Sequence, residues 1–419
     1  MNTIIKQLQN YFNNKRILIM GFGREGKSTY RFLKTYTNSS FIAINDSIEI
    51  ETEEKFYLKE EYLKEIASFD IIMKSPGIAL KDLDLTNFNG DITSQTELMI
   101  KYNKQNMIGI TGTKGKSTTS SLIYGILKEG GVDVRLIGNI GIPPFECLEE
   151  ILDDTKLVCE MSSHQLEHAQ VSPHISTLLN IYEEHLDHYN SYEDYKLAKV
   201  NIFRWQDESD YFVYDFNNKV LADYVDKYSK SQKIDCNIDW SEEGNLIGEH
   251  NLFDVKIAVS IARILNIEEN VIIKAIKKFK SLPHRLEYVG KYNEIIYYND
   301  SISTIPEATI MAVNSLKIVD TLIIGGMDRG IDYSTLVDFL EKTKVKNVIC
   351  VYETGEKIYK LLTREGKYIV DNLEEAVKLA KEITEKEKIC LLSPAAASYG
   401  YFKNFEERGN KYKEYAKKD

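Results

Sequence analysis

The chain is poor in proline and cysteine, has no apolar run long enough to cross a bilayer, and carries no surplus of positive charge. Seven prolines among 419 residues, with 43% hydrophobic and 28% charged side chains, exclude a Pro-rich or low-complexity polymer and leave ample material for packed cores. The five cysteines, Cys147, Cys159, Cys236, Cys350 and Cys390, are odd in number, scattered and without a CxxC pair, so neither a disulfide framework nor a zinc site is indicated. Cys159, Cys350 and Cys390 lie in apolar, strand-like runs and read as small buried hydrophobes. A spanning helix needs about 20 consecutive apolar residues, and the polar start MNTIIKQLQNYFNNKR has no secretory core, so the expected location is the cytoplasm. A formal net charge of -11 argues against general binding to nucleic acid or to an anionic membrane, while leaving room for a local cationic phosphate site.

What is present is a recurring pattern. Short aliphatic and β-branched runs are each followed by a Gly-, Ser- or Asp-containing turn and then by a stretch of helical period. RILIM before Gly21, NMIGIT before Gly112, KLVCE ending at Glu160, ISTLLN ending at Asn180, TLIIGG ending at Gly326 and KICLLS ending at Ser393 are the clearest strands. The polar residues of interest fall just after them, at the strand ends where open α/β sheets bind ligands. The length suits several domains at roughly 100–200 residues each. The expected fold is α/β with three domains in series, 1–103, 104–282 and 283–419. The polar stretch KYNKQN marks the first boundary and LPHR at 282–285 the second. The Asp-, Glu-, Asn- and Lys-rich segment 205–247 reads as surface structure of the middle domain.

The strongest motif is Gly112-Thr113-Lys114-Gly115-Lys116-Ser117-Thr118-Thr119, set between a strand and a helical stretch. Glycines let consecutive N–H groups turn towards phosphate oxygens, and the following helix adds a favourable dipole. Lys116 would meet the β/γ-phosphates and the Ser117 hydroxyl would ligate Mg²⁺. The general P-loop has a further glycine five residues before Gly115, where this chain has Ile110; the alternative is a Gly-rich turn that merely caps a helix. Upstream, Gly21-Phe22-Gly23-Arg24-Glu25-Gly26 follows a strand, and Asp46 ends the next one, FIAIND. This is a dinucleotide fingerprint, although a UDP-sugar would use the same pyrophosphate-binding turn and nearby carboxylate. Lys74-Ser75-Pro76-Gly77-Ile78 could close over that nucleotide. Glu160, at a strand end one crossover after the phosphate loop, is placed like a Walker-B carboxylate holding Mg²⁺. His185 and Lys199 follow a strand whose end reaches the same crevice.

GTKGKST, EMSSHQLE, LNIYEEHLDHY, YKLAK, GEHN, LPHRLE, NDS and LSPAAASYGYFKNFEERG occur in the order and approximate spacing of the Mur ligases, and nearly the whole chain resembles that family. The last motif is similar to that of its glutamate-adding branch. The resemblance implies a Rossmann-like N-terminal domain for a UDP-substrate, a central P-loop domain for ATP and a C-terminal Rossmann-like α/β domain for glutamate. It implies an ATP-dependent ligase of peptidoglycan synthesis that adds glutamate to UDP-MurNAc-L-Ala through an acyl phosphate, releasing ADP and phosphate. Catalytic residues would be Lys116, His185 and Lys199. Lys199 is expected as a carbamate that, with His185, holds a second Mg²⁺, while Ser117 and Glu160 hold the first. ATP would be met by Gly112, Thr113, Lys114, Gly115, Lys116, Ser117, Thr118, Asn251, Arg285 and Asp300. The UDP-substrate would be met by Gly23, Arg24, Glu25, Asp46, Ser75, Pro76, Gly77, Asn139, Ser162 and Gln165. Glutamate would be met by Thr304, Arg329, Ser398 and Phe405, where a cation and hydroxyls suit a dicarboxylic amino acid. The family usually reads NDSKATN where this chain has Asn299-Asp300-Ser301-Ile302-Ser303-Thr304-Ile305, so Ile302 stands in place of the lysine. D-glutamate is the expected substrate, with L-glutamate as the rival. More remote alternatives are a folylpolyglutamate synthase-like ligase and a non-catalytic nucleotide-binding protein. No nucleic-acid or membrane partner is expected, and the expected state is a monomer.

Overall fold

The computed structural model describes residues 2–81, 83–183, 188–240, 249–316 and 318–418. They contain three sheets, and the chain divides into two compact units, Met1–Glu243 with Phe253–Lys278 and Gly244–Leu252 with Phe279–Asp419.

The first sheet comprises β1 (Arg16–Met20), β2 (Phe41–Asp46), β3 (Lys55–Leu58), β4 (Ile71–Lys74) and β5 (Asp91–Thr93), in the order β3-β2-β1-β4-β5, all parallel. The second comprises β6 (Met107–Thr111), β7 (Val134–Gly138), β8 (Lys156–Glu160), β9 (Ile175–Leu178), β10 (Tyr211–Tyr214) and β11 (Gln232–Asp235), in the order β11-β10-β9-β6-β8-β7, again parallel. Both belong to the first unit. Their central strands are continuous apolar runs because helices cover both faces; every residue of β6 is buried. Gly109 within β6 has a packing reason: a Cβ there would lie 2.6 Å from Pro173 Cγ.

The third sheet, in the second unit, comprises β12 (Glu287–Tyr292), β13 (Ile295–Asn299), β14 (Val319–Ile324), β15 (Asn347–Val351), β16 (Lys367–Val370) and β17 (Ile389–Leu392). Its order is β12-β13-β17-β14-β15-β16. β12 and β13 form an antiparallel hairpin at the edge, turning through Asn293 and Glu294, both at positive φ, while the other pairs are parallel.

Two features depart from the sequence reading. The polar segment after residue 205 supplies β10, the helix Lys219–Tyr228 and β11, which extend the central sheet rather than decorate it. β11 lies at the sheet edge and none of its residues is buried, so it carries no apolar signature. The β12–β13 hairpin likewise lies outside the strand–turn–helix pattern that marks the parallel units.

Candidate active site

The phosphate loop lies between β6 and the helix Lys116–Glu129. Gly115 stands at the helix N-cap with φ +86°, a conformation that side chains with a Cβ disfavour, and a Cβ there would also fall 2.5 Å from Asp254 Oδ1. Among the described residues no side-chain hydrogen bond from Gly115 caps this helix, and its first turn has no acidic residue of its own, so the positive end of its dipole lies at the loop. The loop is held by Asn180 at the end of the neighbouring strand: its Oδ1 accepts from Thr113 N at 3.1 Å and Lys114 N at 2.8 Å, and its Nδ2 donates to Lys114 O at 3.1 Å. Lys116 Nζ donates to Gly112 O at 2.8 Å and Thr113 O at 3.0 Å, within the loop it would exchange for phosphate oxygens. Ser117 and Thr118 are buried beside it.

Glu160 ends β8, the strand beside β6, where it pairs with Ile110. It is 1% exposed; Oε1 accepts from Asn139 Nδ2 at 2.7 Å, and Oε2 has no hydrogen-bond partner among the described residues. A buried carboxylate oxygen left unpaired carries a large desolvation cost that a cation would offset, so the Glu160 donor set fits a divalent metal such as Mg²⁺. Lys199 projects from the helix Tyr192–Arg204, is 2% exposed, and donates to Gly112 O at 2.9 Å. Its Nζ lies 4.8 Å from the ring centre of Tyr195, whose hydroxyl is 3.0 Å from Thr113 Oγ1. The helix thus reaches the phosphate loop through both side chains. His185 lies outside the described residues. The nearby His188 Nε2 pairs with Glu167 Oε2 at 3.0 Å.

The N-terminal turn has the three-glycine geometry of a pyrophosphate site. Gly21 has φ +86°, a Cβ on Gly23 would meet nothing within 4 Å, and a Cβ on Gly26 would lie 2.1 Å from Gly21 O, so the helix Arg24–Tyr36 packs tightly on the strand end. Ser75 Oγ donates to Gly21 O at 2.8 Å, which ties the Ser75–Gly77 turn to the glycine turn; the space at Gly77 is open. Asp46 accepts from Phe22 N at 2.7 Å and Ser47 N at 2.7 Å. Burial opposes its ionisation, but the backbone N–H groups of Phe22, Ile48 and Ser47 outweigh that and hold its carboxyl below the ordinary carboxylate range.

Within this unit the two sheets are joined at the site. Arg24 Nη2 donates to Gly141 O at 3.0 Å, and Gln165 Nε2 donates to Glu25 Oε1 at 3.0 Å. Gln165 also completes a capping box with Ser162 at the start of the helix Ser163–Leu166. Burial pushes the Glu25 carboxyl up to about 7, partly opposed by Gln165, Lys74 and Arg24, and its Oε2 has no partner among the described residues.

In the second unit, Thr304, Arg329, Ser398 and Phe405 follow the adjacent strands β13, β14 and β17 and open the last helix, Phe405–Lys417. Arg329 is exposed, Ser398 is buried, and Thr304 and Phe405 lie between these limits. Asp300 is buried and accepts from Ser303 Oγ at 2.6 Å and Ser393 Oγ at 2.8 Å; burial pushes its carboxyl up to about 6. Ile302 donates its N–H to His284 O at 3.2 Å, and Arg285 N donates to Leu282 O at 3.1 Å. Asn251 lies near the start of the helix Glu249–Ile264. The sequence reading assigned no role to Asn180 or Tyr195. Asn180 ends a strand beside the phosphate loop, which is the signal that could have singled it out.

The Mur ligase middle domain family matches residues 110–294. The UDP-N-acetylmuramoylalanine--D-glutamate ligase of Acetivibrio thermocellus is 31% identical, covering 99% of this chain and 98% of that one. The protein of the same name from Caldanaerobacter subterraneus subsp. tengcongensis is 34% identical, covering 95% and 97%. Among solved structures, MurF ligase from Thermotoga maritima in complex with ADP aligns at a TM-score of 0.61 and 15% identity, over 99% of this chain and 98% of that chain. The MurC ligase of the same organism aligns at 0.61 and 15%, over 96% and 98%. At these identities the structural likeness concerns the fold.

Proposed function

The chain belongs to the Mur ligase family, and from that premise we propose that it is an ATP-dependent ligase that joins D-glutamate to UDP-MurNAc-L-Ala in peptidoglycan synthesis. The observation that carries this is the pairing of a phosphate loop, Gly112–Ser117, with the buried, half-unpartnered carboxylate of Glu160. The curated relatives' names supply the substrate and favour D-glutamate.

The alanyl carboxylate oxygen attacks the γ-phosphorus of ATP; a P–O bond forms, the bond to the β-phosphate oxygen breaks, and an acyl phosphate and ADP result. The glutamate amine then attacks the acyl carbon, a C–N bond forms, the bond to the phosphate oxygen breaks, and the departing phosphate takes up the proton that the amine sheds. Lys116 exchanges its loop carbonyls for the β/γ-phosphates, and the N–H groups of the loop hold the same oxygens. Ser117 and Glu160 would hold Mg²⁺, which supplies charge neutralisation on the transferring phosphate. A second metal held by His185 and carbamylated Lys199 is part of this reading; carbamylation would turn Lys199 from a donor to Gly112 O into an anionic acceptor. Gly23, Arg24, Glu25, Asp46, Ser75, Pro76, Gly77, Asn139, Ser162 and Gln165 hold the UDP-substrate, and Thr304, Arg329, Ser398 and Phe405 the glutamate. Asn251, Arg285 and Asp300 complete the ATP site.

The three sheets support division at 1–103, 104–282 and 283–419. No helix among the described residues is long and apolar enough to cross a membrane, and the reading places the enzyme in the cytoplasm as a monomer acting on small molecules. Phosphate release with ATP, Mg²⁺ and UDP-MurNAc-L-Ala, with D- and L-glutamate in parallel, tests the proposal. Release with D-glutamate is expected. Release with L-glutamate alone would make Ile302 and its loop the determinant of handedness, and release with neither would refute the assigned substrates.

A further inference from the structure

Arg408 is the largest fully buried side chain among the described residues, 1% exposed, in the first turns of the last helix. A guanidinium so buried normally faces a carboxylate, yet among the described residues no carboxylate pairs with it. Its donors go to loops instead. Nε donates to Ser301 Oγ at 3.0 Å, Nη2 to Ser301 O at 2.7 Å and Nη1 to Ala396 O at 3.0 Å. Ser301 Oγ in turn donates to Phe405 O at 2.8 Å. A Cβ on Gly326 would lie 3.1 Å from Nη1 and 2.3 Å from Ala397 O, so the third loop is pressed against the same guanidinium; Met327 bridges to Ala397 beside it.

Resting on the functional reading above, we propose that Arg408 is a positioning residue for the amino-acid substrate. It ties together the loops after β13, β14 and β17 and the start of the last helix, and these four segments carry Thr304, Arg329, Ser398 and Phe405. The planar fork suits this role: its donors are fixed in direction, so satisfying Ser301 and Ala396 together sets the distance between their loops. A lysine keeps the charge and loses the fork. No atom of Arg408 needs to touch the substrate for this to hold.

The test uses the full chain and separate KM values for glutamate, ATP and UDP-MurNAc-L-Ala. Arg408→Lys should raise the KM for glutamate about tenfold or more, as expected when contact residues lose registration, leave that for UDP-MurNAc-L-Ala within about twofold, and move that for ATP by a smaller factor through Asp300, which adjoins Ser301. Ser301→Ala, which removes one acceptor and leaves the carbonyl, should shift the same KM by a smaller factor and serves as the test if the lysine variant does not fold. Equal changes in all three constants, or a lowered melting temperature with unchanged KM values, would overturn the proposal. Should the wild-type enzyme release phosphate with an amino acid other than glutamate, the substrate reading fails, and the KM for that amino acid judges Arg408.

Discussion

Glu25 illustrates how a single side chain can be placed at a cost to the fold. Burial pushes its carboxyl up to about 7 from an ordinary 4.5, outweighing the Gln165 hydrogen bond and the fields of Lys74 and Arg24. The folded protein therefore binds this proton more tightly than the unfolded chain. Between pH 4.5 and 7 the unfolded chain has already released it, so stability falls as pH rises, by roughly 3 kcal/mol at most. Glu25→Gln should raise the melting temperature at pH 8 and leave it nearly unchanged at pH 4, in thermal scans without ligand; an equal effect at both pH values would remove the carboxylate as the cause. Gly112, Lys116 and Ser117 could be read directly, because the phosphate loop is local chemistry in contiguous residues. Arg408 could not: its partners, Ser301 and Ala396, are 107 and 12 residues away in sequence. The same is true of the Glu160 environment, where Asn139 lies 21 residues upstream.

At the scale of elements, the glycines of the N-terminal turn divide by what surrounds them. A Cβ on Gly26 would lie 2.1 Å from the Gly21 carbonyl oxygen, a contact that only a shift of the helix Arg24–Tyr36 could relieve, whereas Gly77 faces open space. Gly26→Ala should destabilise the protein by about 2 kcal/mol and raise the KM for the UDP-substrate, because the displaced helix carries Arg24 and Glu25. Gly77→Ala should leave the unfolding midpoint within experimental scatter. Denaturant unfolding of both variants, with the KM of the first, checks this. The central parallel strands β1, β6, β8, β9, β14 and β17 were legible because burial on both faces demands unbroken apolar runs. β11 and the β12–β13 hairpin were not, since partly exposed edge strands need no such runs, and Asn293 and Glu294 lack the glycine that usually announces a tight hairpin turn.

Across the whole molecule, the residues proposed for the UDP-substrate and the phosphate loop and those proposed for glutamate divide between the two units, with Asn251, Arg285 and Asp300 of the proposed ATP site in the second. The phosphate loop, Glu160 and the residues assigned to the UDP-substrate belong to one compact unit, and the glutamate candidates to the other. Motif order along the chain separates the glutamate candidates from the phosphate loop, whereas the side-chain ties within each unit join residues far apart in sequence. Arg329 has no assigned part in making the acyl phosphate. If its guanidinium binds a glutamate carboxylate, Arg329→Ala should form ADP at the wild-type rate in the first turnover, with ATP and UDP-MurNAc-L-Ala alone. At subsaturating glutamate its steady-state turnover should fall about a hundredfold, the loss of one charge-assisted anchor of roughly 3 kcal/mol. Rapid-quench measurement of ADP before and after glutamate addition separates the stages. A first-turnover rate that falls in step with the second would place Arg329 in the chemistry of acyl-phosphate formation and remove it from the glutamate site.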